Sequence, residues 1–183
     1  KQAIRHTRRR GMHLADVFID LDGFKKVNDQ HGHAVGDKLL SVLSRRLAQL
    51  LREDDTFARP GGDEFVAILL DLPDISVSVP SLERLIEVTA QPVPIGDALC
   101  EVSASIGVSY YPQGEDIDAD QLLRQADQAM YRAKQAGKNR YHVFDTEKDR
   151  TLRTRHEGFD SIENALANGQ FLLYFQPKVN MRT

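Results

Sequence analysis

Phe57-Ala58-Arg59-Pro60-Gly61-Gly62-Asp63-Glu64-Phe65-Val66-Ala67-Ile68-Leu69-Leu70 is the stretch from which the rest of the chain can be read. A short β-prone run ends at Arg59 and a strongly apolar run begins at Phe65. Between them lie a proline, two glycines and two adjacent carboxylates. Paired glycines supply the positive φ of a tight hairpin turn, so the stretch is read as strand, turn, strand. Asp63 and Glu64 then stand at a loop tip with no cation beside them in sequence. Two such carboxylates suit a hard divalent cation, which prefers oxygen ligands. An ordinary polar hairpin turn is the plain alternative.

Working outward, residues 14–21 contain Val17, Phe18 and Ile19 in succession, as expected of a central strand buried on both faces. That strand runs out at Asp20 and Asp22, ahead of Gly23. Residues 24–31 read as a short helix, followed by a glycine-rich link through Gly32 and Gly36. Leu39, Leu40, Leu43, Leu47 and Leu50 fall at helical spacing, which predicts an amphipathic helix over 37–51, and an N-cap is the plain structural role open to Asp37. Residues 1–12 read as the tail of an uncapped helix.

Beyond the hairpin, 72–80 reads as loop and Leu82, Leu85, Ile86 and Val88 mark a helix. A second hairpin is expected from 93–95 and 99–110, joined by Gly96-Asp97-Ala98. A loop over 112–118 leads to a helix through Leu122, Ala126, Ala129 and Met130 that Gly137 closes, and 141–144 is a last short strand. The order predicts an α+β fold with a mixed central sheet covered by helices.

Composition excludes several classes. With 183 residues, 41% hydrophobic and 28% charged, the chain suits one well-buried soluble domain with some length to spare. A net charge of -3 gives no global sign of nucleic-acid binding, so any anionic ligand must be held by local groups. The basic opening (Lys1, Arg5, Arg8, Arg9, Arg10) reads as a solvated helix face rather than a nucleic-acid arm. Cys100, the one cysteine, excludes an internal disulfide and sits in an apolar run as a buried thiol. No apolar run reaches membrane-spanning length and no signal peptide opens the chain.

Residues 61–65, Gly-Gly-Asp-Glu-Phe, spell the signature of the GGDEF family, the diguanylate cyclases of bacterial signalling. The resemblance extends to Phe18-Ile19-Asp20-Leu21-Asp22-Gly23-Phe24-Lys25, Asn28-Asp29, Gly32-His33 and Gly36-Asp37. Further on, Ala104-Ser105-Ile106-Gly107-Val108, Tyr131-Arg132-Ala133-Lys134 and Gly137-Lys138-Asn139-Arg140 are similar to the family's later strand and last helix. The match covers residues 1–145 as the GGDEF domain, without the family's upstream Asp-x-Leu-Thr-x-Leu-x-Asn-Arg stretch, so a fragment is expected. Residues 146–169 are expected to be a helical linker, and 170–183 resemble the first strand of an EAL phosphodiesterase domain. The Glu-Ala-Leu motif itself lies outside these residues, so no phosphodiesterase activity is expected of them.

The resemblance implies a ferredoxin-like core shared with nucleotidyl cyclases and polymerase palms. It implies condensation of two GTP into cyclic di-GMP, a reaction that needs mainly positioning and charge neutralisation. By family pattern Asp20, Asp63 and the backbone carbonyl of Leu21 hold Mg2+ or Mn2+, and Glu64 binds metal or activates the hydroxyl. The amides of Gly23, Phe24, Lys25 and Lys26 at a helix start, with Lys134 and Lys138, match the phosphate contacts. The family more often has Arg at the position of Lys138, which keeps the charge without the bidentate fork.

Asn28 and Asp37 correspond to the guanine-binding pair, and Arg52 with Asp55 resemble the inhibitory product site, against a plain loop salt bridge. His31 and His33 read as structural rather than as a metal pair. Pro60 departs from the family, which has an aromatic or aliphatic residue there; it is expected to stiffen the turn or remove a strand hydrogen bond.

The expected partners are GTP, cyclic di-GMP, a second copy in a catalytic homodimer and an adjacent EAL domain, and no nucleic acid. The expected location is the bacterial cytoplasm, with any membrane tether in sequence upstream. The rival reading is a non-catalytic module that binds GTP or cyclic di-GMP and regulates an EAL neighbour.

Overall fold

The structure is a computed structural model and describes residues 1–145. Its centre is β1 (His13–Asp22), buried along nearly its whole length because the apolar run fills both faces of the strand. Two antiparallel neighbours flank it, β3 (Glu64–Leu72) and β6 (Ser103–Tyr111). The edge strand β2 (Thr56–Gly61) pairs antiparallel with β3, and β7 (Arg140–Val143) pairs parallel with β6. The order β2-β3-β1-β6-β7 makes a five-stranded mixed sheet, as the alternation of elements predicts.

Alternate side chains of β1 point to opposite faces. Ala15, Val17, Ile19 and Leu21 enter the larger core with α2 (Phe24–His31), α3 (His33–Ala48) and α4 (Val79–Thr89). Leu14 and Phe18 lie on the other face, under α1 (Gln2–Arg10) and α5 (Ala119–Gln135). On that face α5 rides directly on β6. A Cβ added at Gly107 would lie 1.9 Å from the Ala126 carbonyl oxygen and 2.1 Å from the Met130 nitrogen. Gly107 is therefore the contact that lets the helix backbone seat against the strand.

Four local expectations are corrected. The α3 helix begins at His33, so Asp37 is an exposed residue of its second turn and not its cap. The break is Gly32 alone (φ 82, ψ 159), while Gly36 is helical and packs a bare backbone against α2. The 99–110 run is interrupted at Glu101-Val102: β5 (Ala98–Cys100) pairs with β4 (Val93–Ile95) in a separate two-stranded sheet, and β6 joins the main sheet. The expected 72–80 loop contains a 3-10 turn at Ile75–Ser78 and the start of α4, whose Pro80 lies in the first turn where no N–H is needed.

Cys100 is buried and free, as its apolar surroundings predict. Among the described residues no helix is long and apolar enough to cross a membrane. The expected linker (146–169) and EAL strand (170–183) lie outside the described residues.

Candidate functional site

The hairpin places the signature. Gly61 pairs with Glu64, leaving Gly62-Asp63 as a two-residue turn. Gly62 alone takes the left-handed region, at φ 54; a side chain there would be strained. Arg59 Nε donates to the Gly62 carbonyl at 2.9 Å across the turn. The β2–β3 register slips between Ala58 and Gly61, so Pro60 falls within an irregularity of an edge strand, where a missing donor is tolerated. The turn is tied to the end of β1, because Leu21 N–H donates to the Asp63 carbonyl at 3.2 Å. In register, Asp20 lies between Glu64 on β3 and Ser105 on β6.

Around that point an open cleft of about 460 Å3 forms. Its lining includes the acids Asp20, Asp22, Asp29 and Asp63 and the Leu21 backbone. Gly23, Phe24, Lys25 and Lys26 from the start of α2 also line it, with Lys134 from the end of α5 and Lys138 from the turn that follows. Gly23 is the N-cap of α2 at φ 84 and offers no side-chain cap. The first-turn N–H groups of such a helix have no intrahelical partners and favour an anion.

A cation does stand at the carboxylates, from far along the chain: Lys134 Nζ is 2.8 Å from Asp20 Oδ2. Burial pushes the Asp20 carboxyl above the usual range; the Lys134 bond opposes the rise, and the charges of Asp63 and Asp22 add to it. Burial also raises Glu64, helped by the charges of Asp20, Asp127 and Asp63. Asp127, on α5, is a neighbour that no local pattern in the sequence marks.

The remaining site residues are placed less directly. Asn28 and Asp37 are not among the cleft's lining residues. Asn28 Oδ1 is buried without a hydrogen-bond partner and lies where a Cβ on Gly36 would be, 1.9 Å away. Arg52 is exposed, and the Asp55 carboxylate accepts from the backbone N–H groups of Arg52 (2.9 Å) and Leu70 (3.0 Å). Asp55 thus secures its loop to β3. Among the described residues no three His, Cys, Asp or Glu side chains group as a metal cage.

The residues fit a divalent cation in a particular way. A buried carboxylate, Asp20, has a disfavoured charge beside further acids, and all the donors are oxygens. Mg2+ is typically bound by one or two carboxylates plus substrate phosphates rather than by a protein cage. Asp20, Asp63 and the Leu21 carbonyl, in a cleft that lysines also line, suit that mode.

The family model described as "Diguanylate cyclase, GGDEF domain" matches residues 1–140. Among curated relatives, the bifunctional diguanylate cyclase/cyclic di-GMP phosphodiesterase MucR of Pseudomonas aeruginosa is 38% identical over 179 residues, covering 98% of this chain and 25% of MucR. The cyclic di-GMP phosphodiesterase PdeR of Escherichia coli is 34% identical over 166 residues, covering 91% of this chain and 25% of PdeR. This chain therefore spans about a quarter of the length of those relatives. The crystal structure of the GGDEF domain of YfiN (TpbB) from Pseudomonas aeruginosa superposes with a TM-score of 0.75 at 34% identity, covering 79% of this chain and 89% of that one. Signature, sheet topology and these matches agree, and the chain belongs to the GGDEF family of diguanylate cyclase domains.

Proposed function

We propose that this domain condenses two molecules of GTP into cyclic di-GMP and pyrophosphate. What supports the reading is one convergence: Asp20, Leu21 and Asp63 line a single cleft together with Gly23–Lys26, Lys134 and Lys138. The amides at the start of α2 bind the β- and γ-phosphates, and Lys134 and Lys138 neutralise them. Asn28 and Asp37 present oxygen acceptors to the N1–H and amino donors along one guanine edge. Glu64, the register partner of Asp20, takes the proton of the attacking 3′-hydroxyl in this reading. Bound Mg2+ or Mn2+ supplies charge neutralisation at the α-phosphate, and Asp20, Asp63 and the Leu21 carbonyl are the groups that would hold it. One cleft has phosphate donors for one triphosphate, so two domains must face each other in a homodimer, each presenting one GTP.

Product inhibition belongs to the same reading, with Arg52 as the phosphate clamp and Asp55 beside it; the exposure of Arg52 supports this. An EAL domain is the proposed neighbour in the full-length protein. The rival reading, a nucleotide-binding module without turnover, draws on the phosphodiesterase name of PdeR.

Incubating the full-length protein with GTP and Mg2+, and resolving cyclic di-GMP by chromatography, tests the enzyme. Turnover should appear and Asp63→Ala should lower it by orders of magnitude while the domain stays folded. Tight GTP binding without product would favour the rival.

A further inference from the structure

Asp22 ends β1 two residues after Asp20 and borders the same cleft, yet its carboxylate is turned to another task. It is 8% exposed. Its Oδ1 accepts from Ser105 Oγ at 2.8 Å, and its Oδ2 accepts from Ser103 Oγ at 2.9 Å and from the Asn139 backbone N–H at 3.2 Å. Three of a carboxylate's roughly four lone-pair positions are thus filled by protein donors. Two of those donors belong to β6, whose Ser103 is the register partner of Asp22. The third belongs to the turn between α5 and β7.

That turn is conformationally unusual. Lys138 and Asn139 both lie in the left-handed region, at φ 62 and φ 47, where side-chain-bearing residues are disfavoured. It is held at three points. Lys138 N–H donates to the Ala133 carbonyl at 3.0 Å, and Arg140 Nε donates to the Lys138 carbonyl at 3.0 Å. The Asn139 N–H is held by Asp22, across the sheet. Lys138 sits inside this strained turn and lines the cleft, and Lys134 lies one helical turn earlier. Without the Asp22 contact the Asn139 amide loses its acceptor on β1, and the turn would relax toward ordinary φ values, carrying the Lys138 ammonium with it.

We propose that Asp22 is a positioning residue for phosphate recognition: it clamps the Lys138-Asn139 turn so that Lys138 faces the triphosphate, and it does not ligate metal. The role rests on the nucleotide reading of the cleft given above.

The test is calorimetric titration of the full-length protein with an α,β-methylene analogue of GTP plus Mg2+, and separately with GMP. Asp22→Ala should weaken analogue binding about tenfold while leaving GMP affinity unchanged. Lys138→Ala should cost a similar factor, and the double variant should lose little more than either single variant. Asp22→Asn should recover most of the affinity, because its amide oxygen can take the Asn139 N–H while its NH2 donates to Ser105 Oγ; a metal ligand would not be rescued by a neutral amide. Where Asp22→Ala does not fold, Asp22→Glu replaces it: the charge is kept but the acceptor is carried past Asn139, and the same selective loss is expected. Equal losses for the analogue and GMP, additive effects with Lys138→Ala, or failure of Asp22→Asn to rescue would each overturn the role. Wild-type protein that does not bind the analogue overturns the nucleotide reading itself; wild-type binding matched by Asp22→Ala overturns only the role of Asp22.

Discussion

Lys134 Nζ stands 2.8 Å from Asp20 Oδ2, so a proposed phosphate contact and a proposed metal ligand form an ion pair with each other. Both partners are substantially buried, with side-chain exposures of 32% and 12%. The pair joins α5 to the end of β1 and keeps a disfavoured carboxylate charge compensated. A cation arriving at Asp20 and phosphates arriving at Lys134 would each release the other partner. Loading with metal and loading with nucleotide are therefore expected to favour one another.

Lys134→Met keeps the stem and removes the charge. It should weaken binding of the Mg2+–GTP analogue tenfold or more. It should also lower stability at neutral pH by about 1–2 kcal/mol, since an uncompensated buried carboxylate remains. The Asp20 carboxyl, already above its unfolded range, rises further in the variant. The deficit should shrink on acidification, as Asp20 takes up its proton in the folded state. Urea melts at two pH values check this, and a deficit that does not change with pH would contradict it.

Gly36→Ala addresses base recognition. The new Cβ would fall 1.9 Å from Asn28 Oδ1, so the Asn28 amide must turn away. Alanine is the better helix former by roughly 1 kcal/mol, which offsets part of the crowding in the stability. GTP affinity should fall about tenfold while ATP affinity is unchanged and the melting midpoint shifts little. Undiminished preference for GTP would remove Asn28 from guanine binding.

Asp16 offers a pH-dependent test of the fold apart from the site. It lies in register between Ile68 and Ser109, is 6% exposed, and its Oδ1 has no hydrogen-bond partner. Burial raises its carboxyl to about 6. The folded state therefore holds a proton that the unfolded state has released, and stability falls as pH rises from about 4 through 6. The loss is on the order of 2–3 kcal/mol. Asp16→Asn should flatten that slope and be the more stable protein at pH 7. Parallel stability curves for the two proteins would show that Asp16 titrates normally.

Arg52 and Asp55 should separate. Arg52→Ala should abolish calorimetric binding of cyclic di-GMP at a site that a GTP analogue does not displace, with stability within about 0.5 kcal/mol of wild type. Asp55→Ala should destabilise by about 1–3 kcal/mol, because it leaves the Arg52 and Leu70 N–H groups without their acceptor. Undiminished product binding by Arg52→Ala would return Arg52 to an ordinary surface role.

Sequence alone determined the parts of this protein that are set within a few residues. The apolar run at Val17-Phe18-Ile19 dictates a strand buried on both faces, Gly62 dictates the hairpin turn, and the spacing of Leu122, Ala126 and Met130 dictates α5. Periodicity and turn chemistry act over such short distances, and the family resemblance supplied names for residues at known offsets. Tertiary structure decided what depends on register and approach. Helix α3 starts at His33 because Gly36, lacking a Cβ, can pack against Asn28 and Phe24; a local view takes Gly36 for a breaker and Asp37 for a cap. The 99–110 run splits because β5 finds its partner in β4 while β6 finds β1. Asp20 and Asp22 look alike in sequence, yet the sheet hands one to Lys134 and the other to Ser103, Ser105 and Asn139. Those donors lie more than 80 residues away along the chain, and only the pairing of β1 with β6 and the seating of α5 over Gly107 bring them within hydrogen-bond reach.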